Sequence, residues 1–196
     1  SDFARACDSI RSTGVTRFLP TVITASPEDI AACLRRLATA ADYAKHPEMI
    51  AGFHVEGPHI SSDDGPRGAH PLRWVRPPDL GEYGRWQDAT GGQIKLVTLA
   101  PEWPEAPRYV EALVRDGVTV SIGHTGATRD QIQAAVSAGA TLSTHLGNGA
   151  HKILPRHPNY IWEQLATDKL AASFIADGLH LSDSFMKVAL RAKGAE

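Results

Sequence analysis

Apolar stretches alternate along the chain with segments whose apolar positions recur at helical spacing. "VTRFLPTV" (15–22) predicts a strand, and Ser26 after it an N-cap, with Pro27 at the first helical position and Glu28–Asp29 in the first turn. Positions 30, 33, 34 and 37 then give a helix over 27–45 one buried face. "MIAGFHVEG" (49–57) predicts the second strand, and a Gly/Pro-rich segment (57–81), too long for a plain connection, reads as functional. A short helix over 78–89 follows, then a strand over 94–102, a helix over 105–117 and a strand over 118–124. The remainder predicts a helix at 128–139, a strand at 141–148, an irregular stretch at 147–158, a helix at 160–168, a strand at 170–178 and a helix at 182–194. Six strands, nearly all followed by a helix, call for an α/β fold with a parallel sheet, either a doubly wound sheet or a (β/α)8 barrel. No G-x-G-x-x-G or P-loop pattern follows any strand.

Composition narrows the picture a little. With 42% hydrophobic and 21% charged residues the chain supports one sizeable core and reads as a soluble single domain. A formal charge of -2 leaves no basic excess for nucleic acid, and no apolar run is long enough for a membrane span. No signal peptide opens the sequence, and the two cysteines, Cys7 and Cys33, are expected as buried free thiols in a reducing compartment. The four tryptophans, Trp74, Trp86, Trp103 and Trp162, show no stripe or cage spacing and are read as packing residues.

The chemistry collects where strands end. The second strand finishes in Glu56, the fourth in His124, the fifth in His145 and the sixth in Asp177, with His180 close behind. Any one of these has an ordinary structural role: a hydrogen-bonded histidine, a solvated strand-end glutamate, or a turn-forming Asp177 before Gly178. Their recurrence at the same edge of successive strands points instead to a shared ion, because a parallel barrel gathers those edges at one face. A carboxylate and two imidazoles suit zinc or another first-row divalent metal, leaving positions open for water and substrate. In the loops, "DDGPRGAHP" (63–71) brings Arg67 and His70 just past Glu56, as a lid or substrate-facing segment or as plain surface. "HLGNGAHKILPRHP" (145–158) carries Asn148, His151, Arg156 and His157, and a guanidinium such as that of Arg156 can grip a phosphate with two hydrogen bonds.

These residues fall into motifs. "HVEGPHI", "GHTGAT", "THLGNGAH" and "IADGLH", in that order, with "RFLPTVIT" ahead of them, resemble segments of the N-acetylglucosamine-6-phosphate deacetylases, a metal-dependent family of the amidohydrolase superfamily. The resemblance runs along essentially the whole chain. It implies a (β/α)8 barrel with about six of its eight strands in this chain, and a small flanking β domain. Residues 1–196 would then be a partial hydrolase barrel domain, with the first strand before residue 1 and the last strand, bearing the general-base aspartate, after Glu196. By motif position Glu56, His124 and His145 would ligate the metal, zinc first, with iron or another first-row ion as alternatives. His70 would polarise the acetamide carbonyl. Ala69, His70, Asn148, Gly149 and His180 would contact substrate, and Arg156 would reach the phosphate of a neighbouring subunit in a homodimer. The implied reaction is hydrolysis of N-acetylglucosamine 6-phosphate to glucosamine 6-phosphate and acetate in the cytoplasm. The rivals are an amidohydrolase for another N-acyl or cyclic amide, and a homologue that binds without catalysis. His59, Gly126 and Gly149–His151 depart from the family pattern and bear on which substrate is taken. A barrel lacking two strands would leave two sheet edges open to association.

Overall fold

A computed structural model describes residues 2–42 and 47–194. Thr21–Ile23 (β1), Phe53–Glu56 (β2), Ile94–Leu99 (β3), Thr119–Ile122 (β4), Leu142–Ser143 (β5) and Ala171–Ala172 (β6) form one sheet in sequence order, every neighbour parallel. Asp2–Ser12 (α1) precedes β1, and Pro27–Asp42 (α2), Leu80–Thr90 (α3), Ala106–Arg115 (α4), Arg129–Ser137 (α5), Tyr160–Ala166 (α6) and Asp183–Lys193 (α7) follow the successive strands. The sheet is part of a (β/α)8 barrel, and among the described residues its edges are β1 and β6. The last residues of the expected 27–45 helix lie outside the described residues.

The two faces of the sheet have opposite chemistry because side chains alternate along each strand. Val22, Val55, Val97 and Val120 stand in one register row and join Ile30, Leu34, Trp86, Tyr109, Leu113 and Ile132 in a single buried cluster. The opposite rows carry the polar groups: Thr21 pairs with His54, Glu56 with Thr98, and Thr98 with Ser121. Helices cover the valine face, which leaves the polar face for a site.

The strands are shorter than expected, and each shortening has a cause. Pro20 lacks an N–H, so the first strand begins at Thr21, preceded only by a Phe18–Ile50 bridge. Beyond β5 the chain swings out of the ladder, and His145 N–H donates to the Ser173 hydroxyl (2.8 Å). Strand β6 stops at Ala172, so Asp177 is not a strand-end residue; it sits five positions later in an exposed turn. The expected N-cap is present: Ser26 Oγ accepts from Asp29 N–H (3.1 Å) and donates to the Asp29 carboxylate (2.8 Å). Two smaller expectations need correction. Cys7 is buried but Cys33 is only partly so, and both are free; Trp162 is exposed, whereas Trp86 is wholly buried.

Arg76 organises the long segment after β2. Its guanidinium donates to Ala25 O (3.0 Å), to Trp74 O (2.6 Å) and to both carboxylate oxygens of the buried Glu82, one of them at 2.8 Å. His59, one of the departures from the family pattern, is fully buried against Trp86 and Tyr109, filling an aromatic's place. Burial pushes its imidazole down to about 4, against the smaller raising effects of the Arg76 carbonyl and Glu82. An unfolded histidine binds its proton near pH 6.5, so stability is whole above that pH and falls as pH drops from about 6.5 to about 4. A shift of that size corresponds to about 3 kcal/mol. His54, also held at about 4 mainly by burial, adds a similar loss. His59→Phe is therefore expected to flatten the pH dependence of urea unfolding by roughly half between those limits.

Candidate metal centre

Glu56 ends β2 on the polar face, and two histidines turn back to meet it. His124 and His145 each stand two residues beyond a strand end, with φ of 51° and 33°. Few non-glycine residues adopt this left-handed region, and two histidines doing so at one sheet edge suggest strain maintained for a purpose. The bend brings His124 Nε2 to 2.7 Å and His145 Nε2 to 3.1 Å from Glu56 Oε1, with the two nitrogens 3.1 Å apart. His124 Nδ1 donates to Pro66 O (2.8 Å), so Nδ1 carries a proton and Nε2 is the nitrogen that would turn a lone pair to a bound cation.

These three residues are the one group of potential metal ligands among the described residues. Donors on a tetrahedral zinc would stand about 3.3 Å apart, so a cation fits after an opening of a few tenths of an ångström. Burial works to raise the Glu56 pKa, but hydrogen bonds from His124, His145 and His70 outweigh it and hold the carboxyl well below the usual range. The site thus presents one fixed anion and two imidazoles.

His70 comes to the same place from the long loop. Its Nε2 lies 3.7 Å from Glu56 Oε1, its ring centroid is 4.4 Å from that of His124, and its Nδ1 is 2.7 Å from Thr24 Oγ1. Arg67 frames the turn, donating to His70 O (2.9 Å) and pairing with Asp64. Two glycines make room for these approaches. A Cβ on Gly57 (φ +81°) would fall 2.1 Å from Thr24 Oγ1, and one on Gly149 (φ +57°) 2.8 Å from His124 Nδ1.

Below the cluster a directed chain of hydrogen bonds crosses the polar face. Thr21 donates to Leu19 O (3.1 Å), so its oxygen accepts from His54 Nδ1 (3.2 Å). His54 Nε2 then accepts from Thr98 (2.8 Å), Thr98 from Thr144 (2.7 Å), and Thr144 from Ser121 (2.6 Å). Thr98 pairs in register with Glu56 and Thr144 adjoins His145, so the chain ties two donors of the cluster to a rigid floor. Glu102 secures the turn after His124, accepting from Thr125 Oγ1 (2.5 Å) and Gly126 N–H (2.7 Å). Thr24, Glu102 and the Thr98–Thr144–Ser121 chain were not singled out from sequence; "TVIT" carried the only signal, in its final threonine.

Other expected site residues make no side-chain hydrogen bond with the three donor atoms. Asn148 is partly buried, and its side-chain nitrogen has no partner among the described residues. Ala69 and Arg156 are exposed. His180 pairs with Asp177 (2.7 Å) in the exposed turn after β6, where bonds from the His180 and Leu179 N–H groups and the His180 ring hold Asp177 down at about 2. The departures at Gly126 and His151 meet in space. A Cβ on Gly126 would stand 3.1 Å from His151 Cε1, and His151 is fixed there by Tyr160 Oη, which accepts its N–H (2.7 Å) and lies 2.9 Å from Nδ1.

No family model matches the chain. An N-acetylglucosamine-6-phosphate deacetylase from Lysinibacillus sphaericus is 36% identical over 183 residues, 93% of this chain and 47% of that protein. An N-acetylgalactosamine-6-phosphate deacetylase from Shewanella sp. (strain ANA-3) is also 36% identical, over 95% of this chain and 46% of that protein. The crystal structure of N-acetyl-D-glucosamine-6-phosphate deacetylase from Mycobacterium smegmatis superposes with a TM-score of 0.82 at 35% identity, covering 91% of this chain and 46% of that one. A variant of that enzyme, solved in complex with N-acetyl-D-glucosamine-6-phosphate, superposes equally well. The chain spans about half the length of the curated relatives it matches. In sequence and in fold, the chain is similar to about half of an N-acetylglucosamine-6-phosphate deacetylase.

Proposed function

We propose that residues 1–196 form the central part of a metal-dependent hydrolase barrel that removes the acetyl group from an amino-sugar phosphate. The observation that carries this is the meeting of Glu56 Oε1, His124 Nε2 and His145 Nε2 within 3.1 Å of one another on the polar face of the sheet. These three residues would hold a divalent cation, zinc by the chemistry of one carboxylate and two imidazoles. Bound there, the ion would supply an acidified water and a Lewis acid for the amide carbonyl.

The protein's own groups divide the remaining work. Glu56, kept anionic by its imidazole partners, fixes the charge of the site. His124 is oriented through Pro66 O and His145 through the backbone bond to Ser173. His70 Nε2 stands beside Glu56 and donates to the oxygen on which charge develops when the amide is attacked. The Asn148 side-chain nitrogen, without a partner among the described residues, together with the Gly149 backbone, Ala69 and His180, receives the sugar phosphate. Arg156, exposed on its loop, serves the phosphate of a second copy in a homodimer. An aspartate beyond residue 196 moves the proton from water to the leaving nitrogen. The proposed setting is the cytoplasm. Separately, no helix among the described residues is long and apolar enough to cross a membrane.

The relative named for N-acetylgalactosamine 6-phosphate, as similar as those named for the glucosamine compound, favours a second reading in which the C4 epimer is the substrate. Acetate release by the full-length, zinc-loaded protein from both sugar phosphates, and from unphosphorylated N-acetylglucosamine, tests the proposal. The expected result is turnover of one or both phosphates with kcat/KM at least a hundredfold above that of the free sugar. Equal rates with and without phosphate would overturn the amino-sugar phosphate reading. No acetate from any of the three would overturn deacetylation itself.

A further inference from the structure

The hydroxyl of Thr24, just past the end of β1, is buried, and its one hydrogen-bond partner among the described residues is His70 Nδ1 at 2.7 Å. Two arrangements of the proton are available. If Nδ1 carried it, Thr24 Oγ1 would accept and its own hydrogen would be left unpaired in the interior, at the full desolvation cost of a buried donor. If the threonine donates instead, both partners are satisfied and the ring proton must sit on Nε2. From this we infer that Thr24 is a positioning residue that locks His70 as the neutral Nε2–H tautomer and so presents a donor at the metal centre.

Three further observations agree. His70 is itself buried, so water does not compete for Nδ1. Nε2 is the ring nitrogen that faces Glu56 Oε1, 3.7 Å away, so the proton assigned to it points into the site. Gly57 completes the arrangement, since any side chain there would overlap Thr24 Oγ1. The glycine after Glu56 thus makes space for the threonine–histidine contact as well as turning the chain.

The inference rests on the proposed role of His70 as the donor to the reacting carbonyl, and its test separates the two. Thr24→Val removes the hydroxyl and keeps the shape; Thr24→Ser keeps the hydroxyl. Imidazole 15N spectra of the zinc-loaded full-length protein, with His70 assigned through His70→Gln, report the tautomer directly. The expected result is an Nε2–H signature for His70 in the parent and in Thr24→Ser, lost or mixed in Thr24→Val, at unchanged zinc stoichiometry. In acetate release, Thr24→Val is expected to lower kcat roughly tenfold to a hundredfold with KM nearly constant, and Thr24→Ser to restore most of it. An Nδ1–H signature in the parent, or an Nε2–H signature that survives in Thr24→Val, would overturn the inference. A parent that shows the expected tautomer yet releases no acetate would refute the proposed activity and leave the Thr24 assignment standing.

Discussion

Glu56→Gln is expected to reduce zinc affinity at least a thousandfold and to reduce acetate release by the full-length protein to background. The reason is charge rather than size. Glu56 is the only anion in the cluster, with His124 Nε2 and His145 Nε2 at 2.7 and 3.1 Å from one of its oxygens. An amide of the same shape brings no negative charge, and it presents either a weaker oxygen or an N–H₂ group to lone pairs that should face a cation. Competition against a chromophoric chelator measures the affinity, and urea unfolding with and without zinc gives an independent reading. At a hundredfold excess of free zinc over Kd, the parent should gain about 2.7 kcal/mol of stability, while the variant gains almost none. A variant that bound zinc as tightly as the parent would place the ion elsewhere.

The second large effect is expected at a residue outside the cluster. Arg76→Met should cost about 3–5 kcal/mol, because it leaves the Glu82 carboxylate, 2% exposed, buried without its partner. The same guanidinium joins the loop to Ala25 O and Trp74 O, and the Arg76 backbone bonds Pro58 O (3.2 Å) and lies 3.2 Å from the His59 ring nitrogen. Losing it frees the segment that carries Arg67 and His70, so activity should fall even at temperatures where the variant is folded. The double variant Arg76→Met with Glu82→Met is expected to recover most of the stability, since an apolar pair of similar volume replaces a buried ion pair at little cost. Chemical unfolding of the single and double variants checks both halves. If the single change cost less than about 1 kcal/mol, Arg76 would be no more than a surface arginine.

How far the sequence reached depended on the range of the interaction involved. Strand–helix alternation and helix caps are local, and the expected cap Ser26 is in place; Thr128, Asn159 and Ser182, not singled out from sequence, cap later helices in the same way. Glu56, His124 and His145 could be listed together because parallel strands bring their C-terminal ends to one edge, so position in sequence implies position in space. The same rule misled for Asp177. It presumed a strand running to the aspartate, whereas β6 ends at Ala172 and the residue pairs locally with His180. Thr24, Glu102 and the Thr98–Thr144–Ser121 chain escaped notice because a threonine or glutamate near a strand end has no pattern of its own. Their roles arise from partners 23 to 46 residues away. Arg76 was likewise hidden in a Gly/Pro-rich segment, where nothing local distinguishes a buried anchor from a solvated arginine. His59 is the opposite case: its departure from the family pattern was plain in the sequence, but only its place against Trp86 and Tyr109 shows that it serves the core and not the site.

Anomalous diffraction at the zinc edge from crystals grown with the metal tests the central claim most directly. The expected map has one strong peak at about 2.0–2.2 Å from Glu56 Oε1, His124 Nε2 and His145 Nε2. A peak bound elsewhere, or no peak with those three atoms still hydrogen-bonded to one another, would contradict it.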